Sequence, residues 1–249
     1  MEQYMSSFNN CFLDALKLNG LEEYEKHSSE FEELFKALAE TNKLYNLTAV
    51  TDEKGVASLH FADSLLGMSY INDSLGETEG KKLLDVGCGA GFPCLPIAIV
   101  SKGMTVNGLD STAKKVDFSN GFAKSIGLNN FRSISGRAEE LAKTDMRESY
   151  DLVTARAVSR LNVLIEITLP FVKVGGYFLA MKGSKGLEEL EEAKNGIRML
   201  GGSVVKVEEK ELKLENETQK RTFILIKKVA KTEAKYPRMY SKIVKSPLK

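Results

Sequence analysis

At 249 residues with 43% hydrophobic side chains, the chain is long enough to bury one substantial core, which favours a single domain with an extension over two full domains. A net charge of +1, only three cysteines (Cys11, Cys88 and Cys94) without C-x-x-C spacing, and a longest apolar run from Phe92 to Val100 argue against a disulfide framework, a metal site and a membrane span. Residues 1–10 lack the basic and apolar stretches of an export signal, so a cytoplasmic protein is expected.

Residues 1–40 hold nine acids against three bases. Phe31, Leu34, Phe35 and Leu38 fall on one helical face, and Ser29 with Glu32 reads as a capping box opening that helix. The stretch 42–48 breaks the pattern. A second helix is predicted over 56–70, around His60 and Asp63, and 72–80 links it to the first strand.

From Lys81 onward, strands and helices alternate. Strands are predicted at 82–86, 105–109, 131–134, 151–155, 177–181, 203–207 and 223–228, with helices at 112–126, 161–171 and 186–200. Such alternation predicts an α/β fold with a mostly parallel sheet covered on both faces, its ligand at the carboxyl ends of the strands. No helix separates the last two runs, so they should pair as an antiparallel hairpin. The chain divides on this basis into an N-terminal helical extension (1–75), a sheet domain (76–230) and a basic C-terminal tail (231–249).

The most informative segment is 83–93, Leu-Leu-Asp-Val-Gly-Cys-Gly-Ala-Gly-Phe-Pro, a buried-strand pattern ending in an acid and three alternate glycines, Gly87, Gly89 and Gly91. Gly89 to Gly91 let the backbone turn sharply and approach a ligand where a Cβ would collide. Pro93 suits the first turn of the helix that follows. A dinucleotide site wants G-x-G-x-x-G, but the third position here is Phe92, and no P-loop pattern is present. Phosphate cofactors are therefore disfavoured. A second carboxylate, Asp110, ends the next strand about 20 residues on, the distance at which an acid reaches ribose hydroxyls. Asp110 is read as the ribose ligand; with Ser111 and Thr112 it can alternatively, or in addition, cap the following helix.

Residues 219–249 hold ten Lys or Arg against the single acid Glu233. Lys235, Tyr236, Pro237 and Arg238, followed by Tyr240, Lys242, Lys245 and Lys249, suggest an arm for phosphate contacts, with the tyrosines offering rings for stacking.

The acid-x-Gly-x-Gly-x-Gly loop and the seven-stranded pattern resemble the class I S-adenosylmethionine-dependent methyltransferases, a Rossmann-like fold. Further blocks are more specific: 45–48 (Tyr-Asn-Leu-Thr), 60–65 (His-Phe-Ala-Asp-Ser-Leu), 136–140 (Gly-Arg-Ala-Glu-Glu), 154–157 (Thr-Ala-Arg-Ala), 181–183 (Met-Lys-Gly) and 236–238 (Tyr-Pro-Arg). Together with the glycine loop they resemble the bacterial 16S ribosomal RNA guanine-N7 methyltransferases, also called glucose-inhibited division protein B. The resemblance implies methyl transfer from S-adenosylmethionine to N7 of one guanine in small-subunit ribosomal RNA. Carried over by position, Gly87 and Phe92 would contact the cofactor, Ala138 and Glu139 would flank its adenine, and Arg156 would line the site. Ala138 and Glu139 can also be read simply as a helix start, and Arg156 as one half of a surface salt bridge. On the substrate side stand His60, which is alternatively a packed histidine, Lys182, which alternatively ends its strand in solvent, and Tyr236 and Arg238 of the tail.

N7 of guanine has a lone pair and no proton to lose, so the implied reaction needs positioning and no general base, and no catalytic acid or base is assigned. The implied partner is 16S ribosomal RNA, free or within a small subunit or its assembly intermediate; no metal or membrane partner is expected, and a monomer is the default. Two rivals remain. A small-molecule methyltransferase has no need of a basic tail, and a non-catalytic RNA-binding factor has no need of an intact glycine loop with Asp85 and Asp110. On the arm reading, deleting 235–249 should weaken RNA binding and spare cofactor binding.

Overall fold

The computed structural model describes residues 6–248. One sheet contains β1 (Lys82–Val86), β2 (Thr105–Asp110), β3 (Phe131–Ser135), β4 (Tyr150–Arg156), β5 (Val172–Lys182), β6 (Gly202–Lys213) and β7 (Thr218–Lys228), in the order β3-β2-β1-β4-β5-β7-β6. Strands β1 to β5 pair in parallel, and β7 runs antiparallel to both β5 and β6. The strand order reverses between β1 and β4, which opens a crevice at their carboxyl ends.

Ahead of the sheet come α1 (Ser7–Asn19), α2 (Ser28–Asn42), α3 (Glu53–Gly55), α4 (Asp63–Leu65) and α5 (Met68–Leu75), with a π-helical turn over Val56–Ala62 joining α3 to α4. Among and after the strands lie α6 (Cys94–Val100), α7 (Ala113–Ser125), α8 (Ala138–Leu141), α9 (Leu161–Thr168), α10 (Gly186–Met199) and α11 (Tyr240–Lys245).

Because side chains alternate along a strand, neighbouring apolar residues feed opposite layers. Leu83, Val106, Leu152, Leu179 and Phe223 pack toward the side holding α1, α2, α5, α6 and α7. Leu84, Val153, Phe178, Ala180 and Ile224 pack toward α9, α10 and α11. This double burial explains why the central strands read as unbroken apolar runs. An aromatic cluster fastens the N-terminal helices: Phe8 stacks on Phe35 at 4.2 Å, Phe12 on Phe31 at 4.6 Å, and Phe31 meets Phe61 at 5.0 Å between centroids. Each fully buried ring contributes about 1.5–3 kcal/mol, which binds these helices to one another, and Phe61 carries the cluster on to Phe92 at 5.9 Å.

Several local expectations change. The Ser29–Glu32 capping box does not form; a 3₁₀ turn over Glu22–His27 runs straight into α2, which leaves no free helix start to cap, and the Ser29 hydroxyl donates to Glu30 instead. The helix expected over 56–70 is interrupted after α4, where Gly67 lies so close to β5 that a Cβ would sit 3.2 Å from Met181 Cε. Pro93 is the N-cap of α6, just before its first turn. Strands β6 and β7 run several residues longer than predicted, because main-chain pairing in their shared ladder continues past the apolar runs that reveal them, and β5 starts earlier, at Val172, which pairs with Tyr150 of β4 across a register shift.

The largest correction concerns the tail. It is no free arm: Tyr236 is buried, and Arg238 forms a two-pronged ion pair with Glu166, a carboxylate on α9 with no exposed surface. A carboxylate buried that deeply needs a cationic partner, and the returning chain provides it. Lys249 lies outside the described residues.

Candidate active site

Asp85 ends the apolar part of β1 and is completely buried. Its Oδ2 accepts from the Cys94 N–H at 3.3 Å and its Oδ1 from the Thr154 hydroxyl at 3.1 Å, so it anchors the glycine loop from below to α6 and β4. Burial pushes its pKa up to about 7, partly offset by those two donors. Gly87 has φ +76°, and a Cβ there would lie 2.5 Å from Val158 Cγ2, so both backbone and space require glycine. Gly89 also has positive φ but nothing within 4 Å of its Cβ position, which leaves an open side to the loop.

Asp110 clamps this loop from the neighbouring strand. Its Oδ2 accepts from the Gly89 N–H at 2.9 Å and its Oδ1 from the Thr112 N–H at 2.8 Å. It is not the side-chain cap of α7, whose N-cap Thr112 makes no such bond. Gly87, Asp110, Ala138 and Glu139 border one cavity of about 260 Å³ at the crevice. Ala138 and Glu139 also begin α8, so the helix-start and site-wall roles coincide.

A second cavity, of about 520 Å³, brings together His60, Arg156 and Lys182. Asp63 organises it: Arg156 Nη1 meets one carboxylate oxygen and Arg221 Nε the other, each at 2.7 Å. Arg156 also donates to the Leu59 carbonyl at 2.8 Å, which ties the end of β4 to the π-helical turn. Lys182 is held by Glu189 at 2.8 Å and by the Ser159 carbonyl at 2.6 Å, so it does not simply end in solvent. His60 stacks on Phe92 at 4.7 Å with the rings 7° from parallel, while its Nε2 meets the Thr48 hydroxyl at 2.8 Å. Burial, reinforced by Arg156, lowers the imidazole pKa to about 4, and the ring is neutral at neutral pH.

The structure thus gathers seven of the expected residues around two cavities and leaves four outside both linings; Gly89 is one of the four, tied to the smaller cavity only through its N–H to Asp110. Phe92 is buried against His60 and Phe61 and borders neither cavity. Tyr236 and Arg238 are committed to the strap described above. Among the described residues no cluster of ligating side chains fits a metal ion. Sequence reasoning missed Val158 and Ile167 in the smaller cavity, and Arg221 with Asp63 in the larger. The block 60–65 contained Asp63, but nothing local marks its pairing with a residue 158 positions away. Ala157, which lines the larger cavity, holds φ +56°, a backbone region that non-glycine residues rarely adopt.

A family model described as GidB, rRNA small subunit methyltransferase G, matches residues 27–222. The chain belongs to this family. The ribosomal RNA small subunit methyltransferase G of Staphylococcus carnosus (strain TM300) is 44% identical over 226 residues, covering 90% of this chain and 92% of that protein. Its counterpart from Lactobacillus acidophilus is 40% identical over 228 residues, covering 91% and 93%. Solved structures share the fold at lower identity. A geranyl diphosphate C-methyltransferase from Streptomyces coelicolor A3(2), in complex with S-adenosyl-L-homocysteine, superposes with TM-score 0.54 at 16% identity, covering 73% of this chain and 86% of that one. M. jannaschii TYW2 in complex with AdoMet gives 0.50 at 15%, covering 67% and 77%. These likenesses establish a class I methyltransferase fold.

Proposed function

We propose that this chain transfers a methyl group from S-adenosylmethionine to N7 of one guanine in the 16S RNA of the small ribosomal subunit. The observation that carries the reading is the juxtaposition of an acid-lined and a cation-lined cavity along a single loop, Arg156-Ala157-Val158, at the end of β4.

The smaller cavity fits the donor. Asp110 offers carboxylate acceptors for ribose hydroxyls, Leu109, Val158 and Ile167 offer apolar surface for a base, and the open side of Gly89 admits a ligand against the backbone. Its lining carries two carboxylates, Asp110 and Glu139, against one cation, Arg137, a balance that suits the positively charged sulfonium better than a polyphosphate. Bound there, S-adenosylmethionine supplies an electrophilic methyl group on a sulfonium. Gly87, Gly89, Asp110, Ala138 and Glu139 would hold it, with Phe92 bracing His60 from behind. In the larger cavity Arg156, Lys182, Lys185 and Arg221 surround two carboxylates, an excess of positive charge suited to the phosphates beside a target base. His60 is neutral there and presents a flat ring without adding to the charge.

The protein's work in this reaction is alignment. N7 attacks with its own lone pair, so no side chain removes a proton, and the rate gain comes from fixing the guanine in line with the methyl group. The test is transfer of labelled methyl from S-adenosylmethionine to small-subunit RNA and to subunits from cells lacking this protein, followed by chemical cleavage at N7-methylguanine. One new cleavage site is the expected result. No incorporation into either substrate, with donor binding intact, would redirect the search to small-molecule acceptors.

A further inference from the structure

We propose that the C-terminal segment is a wall of the methyl-donor site, with Tyr240 presenting an aromatic face to the donor's adenine; the inference rests on the donor reading of the smaller cavity. That cavity is bordered by Asp110, Ser111, Ala138 and Glu139 on one side and, from the end of the chain, by Tyr240. Among the described residues, no other one beyond β7 lines it.

Three sets of bonds hold Tyr240 in place. Lys228, fully buried at the end of β7, donates to the Leu169 carbonyl and the Thr232 hydroxyl, both at 2.6 Å. Arg147 then gathers the returning main chain, donating to the carbonyls of Thr232 at 2.8 Å, Tyr236 at 2.9 Å and Glu233 at 3.2 Å. Glu166 finally takes both the main-chain N–H and the guanidinium of Arg238, two residues before Tyr240. Glu166 and the cavity residue Ile167 are neighbours on α9, so the ion pair fixes the chain directly beside the cavity. On the far side, α11 is pinned by Ile243, which has no exposed surface.

Tyr240 itself is 37% exposed, an amphipathic ring at the cavity rim among Leu109, Val158 and Ile167. Adenine is a flat π-system with apolar faces and a polar edge, the ligand chemistry that such a ring stacks against while its hydroxyl stays wet. The basic tail therefore acts on the donor, and the expectation that its removal spares donor binding is reversed.

Calorimetry without RNA tests this, using the full-length protein and titrating S-adenosylmethionine and S-adenosylhomocysteine in parallel. Tyr240→Ala should weaken both ligands about five- to tenfold, within the usual worth of base–aromatic stacking, and Tyr240→Phe should stay within about twofold of the parent. Met239→Ala, at the neighbouring exposed position, should change nothing. Unchanged affinity in Tyr240→Ala overturns the proposal, as does an equal loss in Met239→Ala, which would mark general loosening of the strap. A parent protein that binds neither ligand overturns the donor reading of the cavity itself, and the inference with it.

Discussion

At Asp85 a completely buried carboxyl holds one main-chain N–H and one hydroxyl, and its pKa is raised from 3.8 to about 7. The folded state therefore keeps a proton that the unfolded chain releases. The associated stability is fully present below about pH 4 and is lost as pH rises through about 7. Asp85→Asn keeps an acceptor for Cys94 and removes this titration, so its stability relative to the parent should rise across that window by up to about 1.4 kcal/mol per pH unit, as measured by urea unfolding at several pH values. His60 slopes the other way: its lowered pKa costs stability as pH falls from about 6.5 to about 4. Gly87→Ala combines a left-handed backbone penalty of about 1–2 kcal/mol with a collision at Val158. It should lower the melting temperature and weaken S-adenosylmethionine binding about tenfold or more, read by thermal denaturation and calorimetry.

Among the elements, the strap between β7 and α11 depends on one charged pair at its end. Arg238→Ala leaves Glu166 buried without its partner and should cost about 3–5 kcal/mol in urea unfolding, whereas replacing both residues by apolar ones of similar size should cost far less. The contrast with the strands shows what a sequence makes visible. Strand β1 appeared with its observed bounds because both faces are buried and the apolar run ends where the pairing ends. The glycine loop and Asp110 were legible because their spacing, 21 residues, is itself the geometry of two adjacent parallel strands. The strap was not legible, since Arg238 and Glu166 lie 72 residues apart and a row of lysines reads the same whether it is packed or free. Similarly, the π-helical turn carries the apolar spacing of an ordinary helix, and its use shows only in three dimensions, in the bond from Arg156 to the Leu59 carbonyl and the stacking of His60 on Phe92.

For the molecule as a whole, charge is distributed unevenly even though the net value is +1. The cation-lined cavity predicts RNA binding that weakens steeply with salt. Lys185→Gln, on its exposed rim, should reduce the slope of log K against log salt by about 0.7–0.9 while leaving donor affinity unchanged, measured by filter binding across a salt series. The N-terminal helices belong to this surface, because Leu59, His60 and Asp63 form part of its wall.

Of three successive residues, Arg156 and Ala157 line the larger cavity and Val158 the smaller. The chain passes from one cavity to the other within a single peptide unit, so ligands seated in the two would bear on the same short stretch of backbone. Thermodynamic reciprocity then requires that, if donor occupancy tightens the grip on RNA, RNA must tighten the grip on the donor by the same factor, so that the two substrates favour each other's retention until the methyl group has moved.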